Sequence, residues 1–215
     1  MQGPQLDAEQ ALARLREGNR RFVDHVISLE ALLSHARRED HARAQRPFAV
    51  VLGCSDSRAP AEFVFDQGLG DLFVIRVAGN IAAPSQVGSI EFAVEQFQTR
   101  LVVVLGHSNC GAVRATLTHL QAPADTSPAL RAIVDRIAPG VQPTLADCGG
   151  DSNSCMPRAI RANVEATIRN LRAQSDYLRY AELQGGLRIV GADYDLGSGA
   201  VDFFASEPVL WPAAS

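Results

Sequence analysis

Two short runs hold the residues whose types and spacing could do chemistry: Cys54-Ser55-Asp56-Ser57-Arg58 and His107-Ser108-Asn109-Cys110-Gly111. Two thiols and one imidazole are three donors suited to Zn²⁺. Structural zinc sites close four positions with protein ligands, whereas catalytic ones keep the fourth for water or substrate. An ion held this way lowers the pKa of a bound water from ~15.7 toward ~7, which makes a hydroxide nucleophile available near neutral pH. Thiolates push electron density onto the metal, so an alkaline preference is expected. Asp56 stands two residues after Cys54, and Arg58 two further on. The carboxylate can accept a hydrogen bond from the nucleophile, or take the open metal position itself and switch the site off. A guanidinium can hold it off the metal through a bidentate bond. Taken alone, a buried cysteine is a small hydrophobe, and an Asp–Arg pair is a surface contact worth at most ~1 kcal/mol. Together, at the ends of two strand-like runs, they point to a catalytic metal centre.

Those runs are what must position the donors. Pro47 to Gly53 and Leu101 to Gly106 are apolar stretches ending in glycine, the pattern of strands buried on both faces. Strands are predicted over Phe48–Gly53, Leu72–Val77, Leu101–Leu105, Leu187–Tyr194 and Ala200–Phe204. Helices are predicted from near Pro60, over Gln86–Gln98 (Val87, Ile90, Val94 and Phe97 on one side), from Asn109–Gly111, and over Arg158–Tyr180. The fold class is α/β: a mostly parallel sheet of four strands plus an antiparallel edge strand, flanked by helices. The last two strands, joined through Gly197-Ser198-Gly199, form that edge. Ligands in such sheets bind beyond the carboxyl ends of the strands, where strand order reverses. For Cys54 and His107 to share one metal, strands one and three must be neighbours, with strand two on the far side of strand one. Ahead of the core, Asp7 and Gln10 resemble a capping pair for a helix with Ala8, Leu12, Leu15 and Phe22 on one face. A second helical stretch runs from Ser28 to about Ala44. The expectation is one domain over 1–215, with 1–45 a helical arm and 46–215 the α/β core. The arm has no strand partner nearby and suits packing across a subunit boundary.

Composition narrows the remaining classes. The chain has 215 residues, 47% hydrophobic and 20% charged, with a formal net charge of −4. That is ordinary globular composition. The charge argues against a nucleic-acid partner, and no apolar run approaches the ~20 residues of a membrane span. Met1 to Gln10 lacks the apolar centre of a signal peptide, so a cytoplasmic location is expected. Cys148 lies within, and Cys155 just after, a Gly/Asp/Ser/Asn-rich segment, Asp147 to Asn153, that reads as a loop; both are expected to be unligated. His25, His35, His41 and His119 read as surface residues.

The pattern C-x-D-x-R, followed roughly fifty residues later by H-x-x-C-G, resembles the β-class carbonic anhydrases. The similarity extends from about Leu12 through Asp66–Asn80 to Ile189–Leu196, nearly the whole chain. It implies reversible hydration of CO₂ to bicarbonate and a proton. It also implies one Zn²⁺ per subunit on Cys54, His107 and Cys110, with Asp56 and Arg58 as the catalytic dyad. Gln45 stands where plant-like members carry a glutamine that hydrogen-bonds substrate, and Phe73 matches an aromatic wall position. Phe92 replaces the tyrosine usual there, so the pocket keeps its apolar face and loses a hydroxyl. Ala78 stands where a valine is common, a slightly roomier wall. Gly111, at a helix start, offers a backbone N–H to an anion. Members inhibited by bicarbonate at a second site carry a tryptophan where this chain has Val51; Arg76 and Tyr194 match that subgroup but are not diagnostic. The resemblance therefore implies an open, plant-like site at rest and no second bicarbonate site. It further implies a homodimer or tetramer in which Gln45 and the two phenylalanines meet from different subunits. Two other readings keep the zinc: a COS or CS₂ hydrolase on the same scaffold, and a non-catalytic zinc protein, which would not need Asp56 and Arg58. A thiol-redox enzyme needs C-x-x-C, which the chain lacks.

Overall fold

A computed structural model of the chain describes residues 5–34, 42, 44–149 and 151–205. Its sheet has five strands: β1 (Ala49–Gly53), β2 (Leu72–Arg76), β3 (Leu101–His107), β4 (Arg188–Tyr194) and β5 (Val201–Ala205). Their order is β2-β1-β3-β4-β5. The first four strands run parallel and β5 returns antiparallel to β4. This is the predicted arrangement, with β1 between β2 and β3. Every residue of β1 and β3 is buried, which is why both read as unbroken apolar runs rather than as alternation.

Alternate side chains of these strands feed two apolar layers. Val51, Val103 and Leu105 pack with Ala11, Leu12 and Leu15 of α1 (Ala8–Val23) and with Phe65 just after α3 (Ala61–Val64). Val50, Leu52, Val102 and Val104 face the opposite layer. There α4 (Pro84–Gln96), α7 (Ser152–Gln174) and α8 (Asp176–Gln184) bring Val87, Ile90, Val164, Ile168, Leu171 and Leu178. A third cluster, beyond the carboxyl ends of the strands, joins Cys54 and Cys110 to α5 (Gly111–Gln121), α6 (Pro128–Asp147) and the start of α7.

The expectation that the first helix lacks a strand partner is corrected. The Asp7–Gln10 capping box forms as read from the sequence. The helix it starts, however, lays its apolar stripe on the chain's own sheet. Asn19, 6% exposed, fastens it: Nδ2 donates to the carbonyls of Val64 (3.1 Å) and Gly199 (2.9 Å), and Oδ1 accepts from Val201 N–H (2.9 Å). The second helix, α2, spans Leu29–Leu33 behind a Ser28 cap. The predicted continuation to Ala44 falls largely on residues 35–41 and 43, outside the described residues.

The region before β4 also departs from expectation. The stripe read as one helix over Arg158–Tyr180 is two helices broken at Ser175, whose hydroxyl accepts from Leu178 N–H and starts α8. Periodicity hides the break because Leu171 and Leu178 face the same apolar layer. The polar Asp147–Asn153 segment is loop only in part. Asp151 caps α7 by accepting from Asn153 and Ser154 N–H. Cys155 lies in the first turn of α7, fully buried, with Sγ donating to the Thr144 carbonyl at 3.3 Å. Both Cys148 and Cys155 are free thiols. Among the described residues, no helix is long and apolar enough to cross a membrane.

Candidate metal centre

Cys54 directly follows β1, His107 is the last residue of β3, and Cys110 is the N-cap of α5. Because β1 and β3 are adjacent, parallel and paired in register (Gly53 with Leu105), their ends deliver the residues to one edge of the sheet. Asn109 adopts a left-handed conformation (φ 58°), which asparagine tolerates better than most residues. It turns the chain sharply enough for His107 and Cys110 to face the same point. The two sulfurs and a ring nitrogen lie within 4.8 Å of one another, all on buried residues. Tetrahedral bonds of ~2.0–2.3 Å place such donors roughly 3.5–3.8 Å apart, so a small contraction would close them on an ion.

The imidazole supplies a test of fit. Its Nδ1 lies 3.0 Å from the Ser108 carbonyl, which fixes the proton there and leaves Nε2 with a lone pair. Nε2 is buried and makes no hydrogen bond among the described residues. A buried, orphaned lone pair beside two thiols is accounted for by a Lewis acid, and the donor set is that of zinc. The surrounding backbone favours thiolates. Gly79 N–H donates to Cys54 Sγ at 3.4 Å, and the Ala112 and Val113 N–H groups at the start of α5 serve Cys110. In the metal-free site a hydrogen bond from Cys110 pulls the Cys54 thiol down, against burial. The same contact, with burial, pushes Cys110 up. Burial opposes charge on His107, but the Cys54 thiolate, the Ser108 carbonyl and Asp56 together outweigh it and raise the ring. Metal binding must therefore displace protons from this trio.

Asp56 lies on the same edge, with Oδ2 3.9 Å from His107 Nε2. Arg58 grips it through Nε to Oδ1 (2.9 Å) and Nη2 to Oδ2 (2.8 Å), and the Arg58 N–H adds a third bond to Oδ1 (3.0 Å). These bonds hold the carboxyl well below the usual carboxylate range. Arg76, at the end of β2, clamps the loop from beneath by donating to the carbonyls of Cys54 (3.1 Å) and Asp56 (2.6 Å). Reading the sequence missed that role; its only signal was an arginine closing an apolar strand.

Other expected site residues divide into two groups. Ala78 begins the 3₁₀ turn Ala78–Asn80 that carries the Gly79 amide to Cys54, and Gly111 opens α5 beside Cys110. Both stand with the donors. Phe73 does not: its register partner is Val50, four residues back from Cys54 and so roughly 13 Å along the strand. It packs with Phe92 (6.3 Å between centroids) and Phe97 (6.0 Å). Phe92 is 51% exposed, and Gln45 lies exposed ahead of β1. Within one chain these three do not join the metal donors.

Residues 49–201 match the family model described as carbonic anhydrase. A carbonic anhydrase of Mycolicibacterium smegmatis is 40% identical over 87% of this chain and 89% of its own. Carbonic anhydrase 2 of Mycobacterium tuberculosis is 38% identical over 91% and 92%. Among solved structures, the β-carbonic anhydrase CafA of Aspergillus fumigatus superposes with a TM-score of 0.71 at 28% identity, covering 82% of this chain and 86% of that one. A tetrameric β-carbonic anhydrase of Sordaria macrospora gives 0.68 at 26% identity, covering 81% and 91%. A two-thiol, one-imidazole centre at the switch point of a mostly parallel sheet and these likenesses agree: the chain belongs to the carbonic anhydrase family, in its β class.

Proposed function

We propose that the chain catalyses the reversible hydration of CO₂ to bicarbonate and a proton with one zinc ion held by Cys54, His107 and Cys110. The observation that carries this reading is the buried Cys-His-Cys trio with an unpartnered His107 Nε2, next to a carboxylate locked by Arg58. When bound there, zinc supplies the Lewis acidity that makes a hydroxide nucleophile available near neutral pH. With zinc bound, Asp56 would accept a hydrogen bond from the attacking oxygen and orient it toward the substrate carbon. Arg58 keeps Asp56 ionised and away from the metal. Gly111, which opens α5 beside Cys110, would steady the oxygens of the forming bicarbonate through its backbone N–H.

The resting site is proposed to be the open form, and the bidentate Asp56–Arg58 pair supports it. A crystal grown at pH 8 or above with Asp56 bound to zinc would overturn that part. The chain is proposed to act as a homo-oligomer, dimer or tetramer, in keeping with the tetrameric relative. Gln45, Phe73 and Phe92 then complete the substrate pocket across a subunit boundary, in line with the exposure of Gln45 and Phe92 in one chain. Four free thiols, two of them metal donors, suit a reducing compartment, and the cytoplasm is the proposed location.

The deciding experiment is stopped-flow CO₂ hydration at pH 8.5 on protein with its zinc quantified. Rapid turnover that scales with zinc content is the expected result. Stoichiometric zinc without CO₂ turnover would overturn the reading and make COS the next substrate to try.

A further inference from the structure

Asn163 lies mid-way along α7 and is 2% exposed. Its Nδ2 donates to the Gly79 carbonyl at 2.8 Å, a contact between residues 84 positions apart. Gly79 in turn donates its N–H to Cys54 Sγ at 3.4 Å. A side chain on the far helix is thus joined to a metal donor through a single glycine. That glycine is in a conformation only glycine adopts readily (φ 71°, ψ 19°), and Asn80 after it is also left-handed (φ 45°). A Cβ at Gly79 would come within 2.5 Å of Ile137 Cδ1 and 3.2 Å of Ala112 Cβ, so the turn is fitted tightly between α6 and α5. Two successive left-handed residues persist only where the surroundings hold them. The Asn163 amide is the side-chain hydrogen bond that does so at Gly79.

We propose that Asn163 is a positioning residue of the metal centre: it locks the Gly79 turn so that the Gly79 amide is aimed at the Cys54 sulfur. The inference rests on the zinc reading above. An N–H···S bond stabilises the thiolate against protonation and fixes the direction of its lone pairs. Partners of this kind, outside the ligands themselves, typically change metal affinity 10–100-fold when removed. Without Asn163 the Gly79 carbonyl loses a buried donor and the turn is free to rotate its amide away. Cys54 then becomes the donor that lets go first.

The test compares Asn163→Leu with wild type and with Ile168→Val, a buried change on the same helix that faces the other apolar layer. Two quantities are read: the rate at which zinc passes to a chromophoric chelator, and the thiolate-to-metal charge-transfer band of the Co²⁺-substituted protein. Asn163→Leu is expected to release zinc at least about tenfold faster and to shift the band. Ile168→Val is expected to lower the melting temperature while leaving both within twofold of wild type. If Asn163→Leu fails to fold, Asn163→Ser, small enough to admit a water to the Gly79 carbonyl, takes its place under the same criterion. A folded Asn163 variant with wild-type zinc release and an unchanged band overturns the inference while the zinc reading stands. Wild-type protein that holds no zinc overturns the zinc reading itself.

Discussion

Arg58 meets Asp56 fork to fork, Nε to Oδ1 at 2.9 Å and Nη2 to Oδ2 at 2.8 Å, while Asp56 Oδ2 stands 3.9 Å from the unpartnered nitrogen of His107. On the proposed zinc reading, the carboxylate is within reach of the metal and Arg58 restrains it from binding there. Replacing Asp56 by Asn should reduce kcat/KM by roughly 10²-fold or more with zinc content unchanged. Arg58→Ala should release Asp56 to compete for the metal, so activity falls further at pH 7 than at pH 9, where hydroxide competes better. Arg58→Lys should not restore the profile, because an ammonium cannot make the paired contact. Equal losses at both pH values in Arg58→Ala would show that the restraint has no functional weight.

The three donors should act as one unit. Cys110→Ala or His107→Ala should lose stoichiometric zinc and leave only background hydration, with the far-ultraviolet dichroism preserved because the flanking strands are buried independently of the site. Removing zinc from the wild type with a chelator should lower its melting temperature, and adding zinc back should restore it, since a ligand bound only by the folded state stabilises that state. A variant with two donors that keeps full zinc and full activity would contradict the assignment.

Asp193 presents a separate, electrostatic prediction. It sits directly opposite Asp202 in the β4–β5 pair. Its Oδ1 is buried with no hydrogen bond among the described residues. Arg161 stands 3.6 Å from it and 3.1 Å from Asp202. Burial, reinforced by Asp202 and Glu165 and only partly offset by Arg161, raises its pKa from 3.8 to about 6. The folded chain thus holds this proton more tightly than the unfolded chain. The stability it contributes is complete below pH 3.8 and is lost as pH rises through about 6. Asp193→Asn should therefore melt about 2–4 °C above wild type at pH 7.5, with the gap closing toward pH 4. Parallel melting curves across that range would rule the effect out.

Gly106 precedes His107 on β3, and a Cβ there would lie 2.7 Å from Val164 Cγ2, 2.9 Å from Asp193 Oδ1 and 3.1 Å from Ile160 Cγ2. Gly106→Ala should destabilise the chain by about 1–3 kcal/mol through overpacking against α7. Because the strand must shift to relieve it, zinc retention should fall as well. Denaturant unfolding together with metal analysis checks both, and an alanine variant of unchanged stability would show that α7 gives way freely.

A buried ion pair joins the two helices that periodicity had merged. Arg172 and Glu182, 6% and 11% exposed at their side chains, pair through Nε to Oε2 at 2.8 Å and Nη2 to Oε1 at 2.9 Å. Glu182→Ala breaks this buried pair and should cost about 3–5 kcal/mol, read as a drop in the urea midpoint. A loss below about 1 kcal/mol would place the pair in effect at the surface.

Much of this was open to reading in one dimension. The cluster of Cys54, His107 and Cys110, the Asp56–Arg58 pair and the strands that carry them were legible because these residues lie at the ends of buried runs, and burial on both faces writes itself as unbroken apolar sequence. Even the order of the first three strands followed, since Cys54 and His107 can meet only if β1 and β3 are neighbours. Capping chemistry at Asp7 was equally local and equally readable. What periodicity could not separate were α7 and α8, because Leu171 and Leu178 keep facing one layer across the Ser175 break. Nor could it tell that α1 rests on its own sheet, a matter decided by Asn19 reaching Val64, Gly199 and Val201. Arg76 under the Cys54–Asp56 loop and Asn163 on the Gly79 carbonyl are meetings of residues far apart in the chain. Residue type and local spacing determined which groups can hold a metal and do its chemistry. Only the tertiary structure decided which distant groups would hold them in place, because a hydrogen bond across 84 residues leaves no mark on the residues nearby.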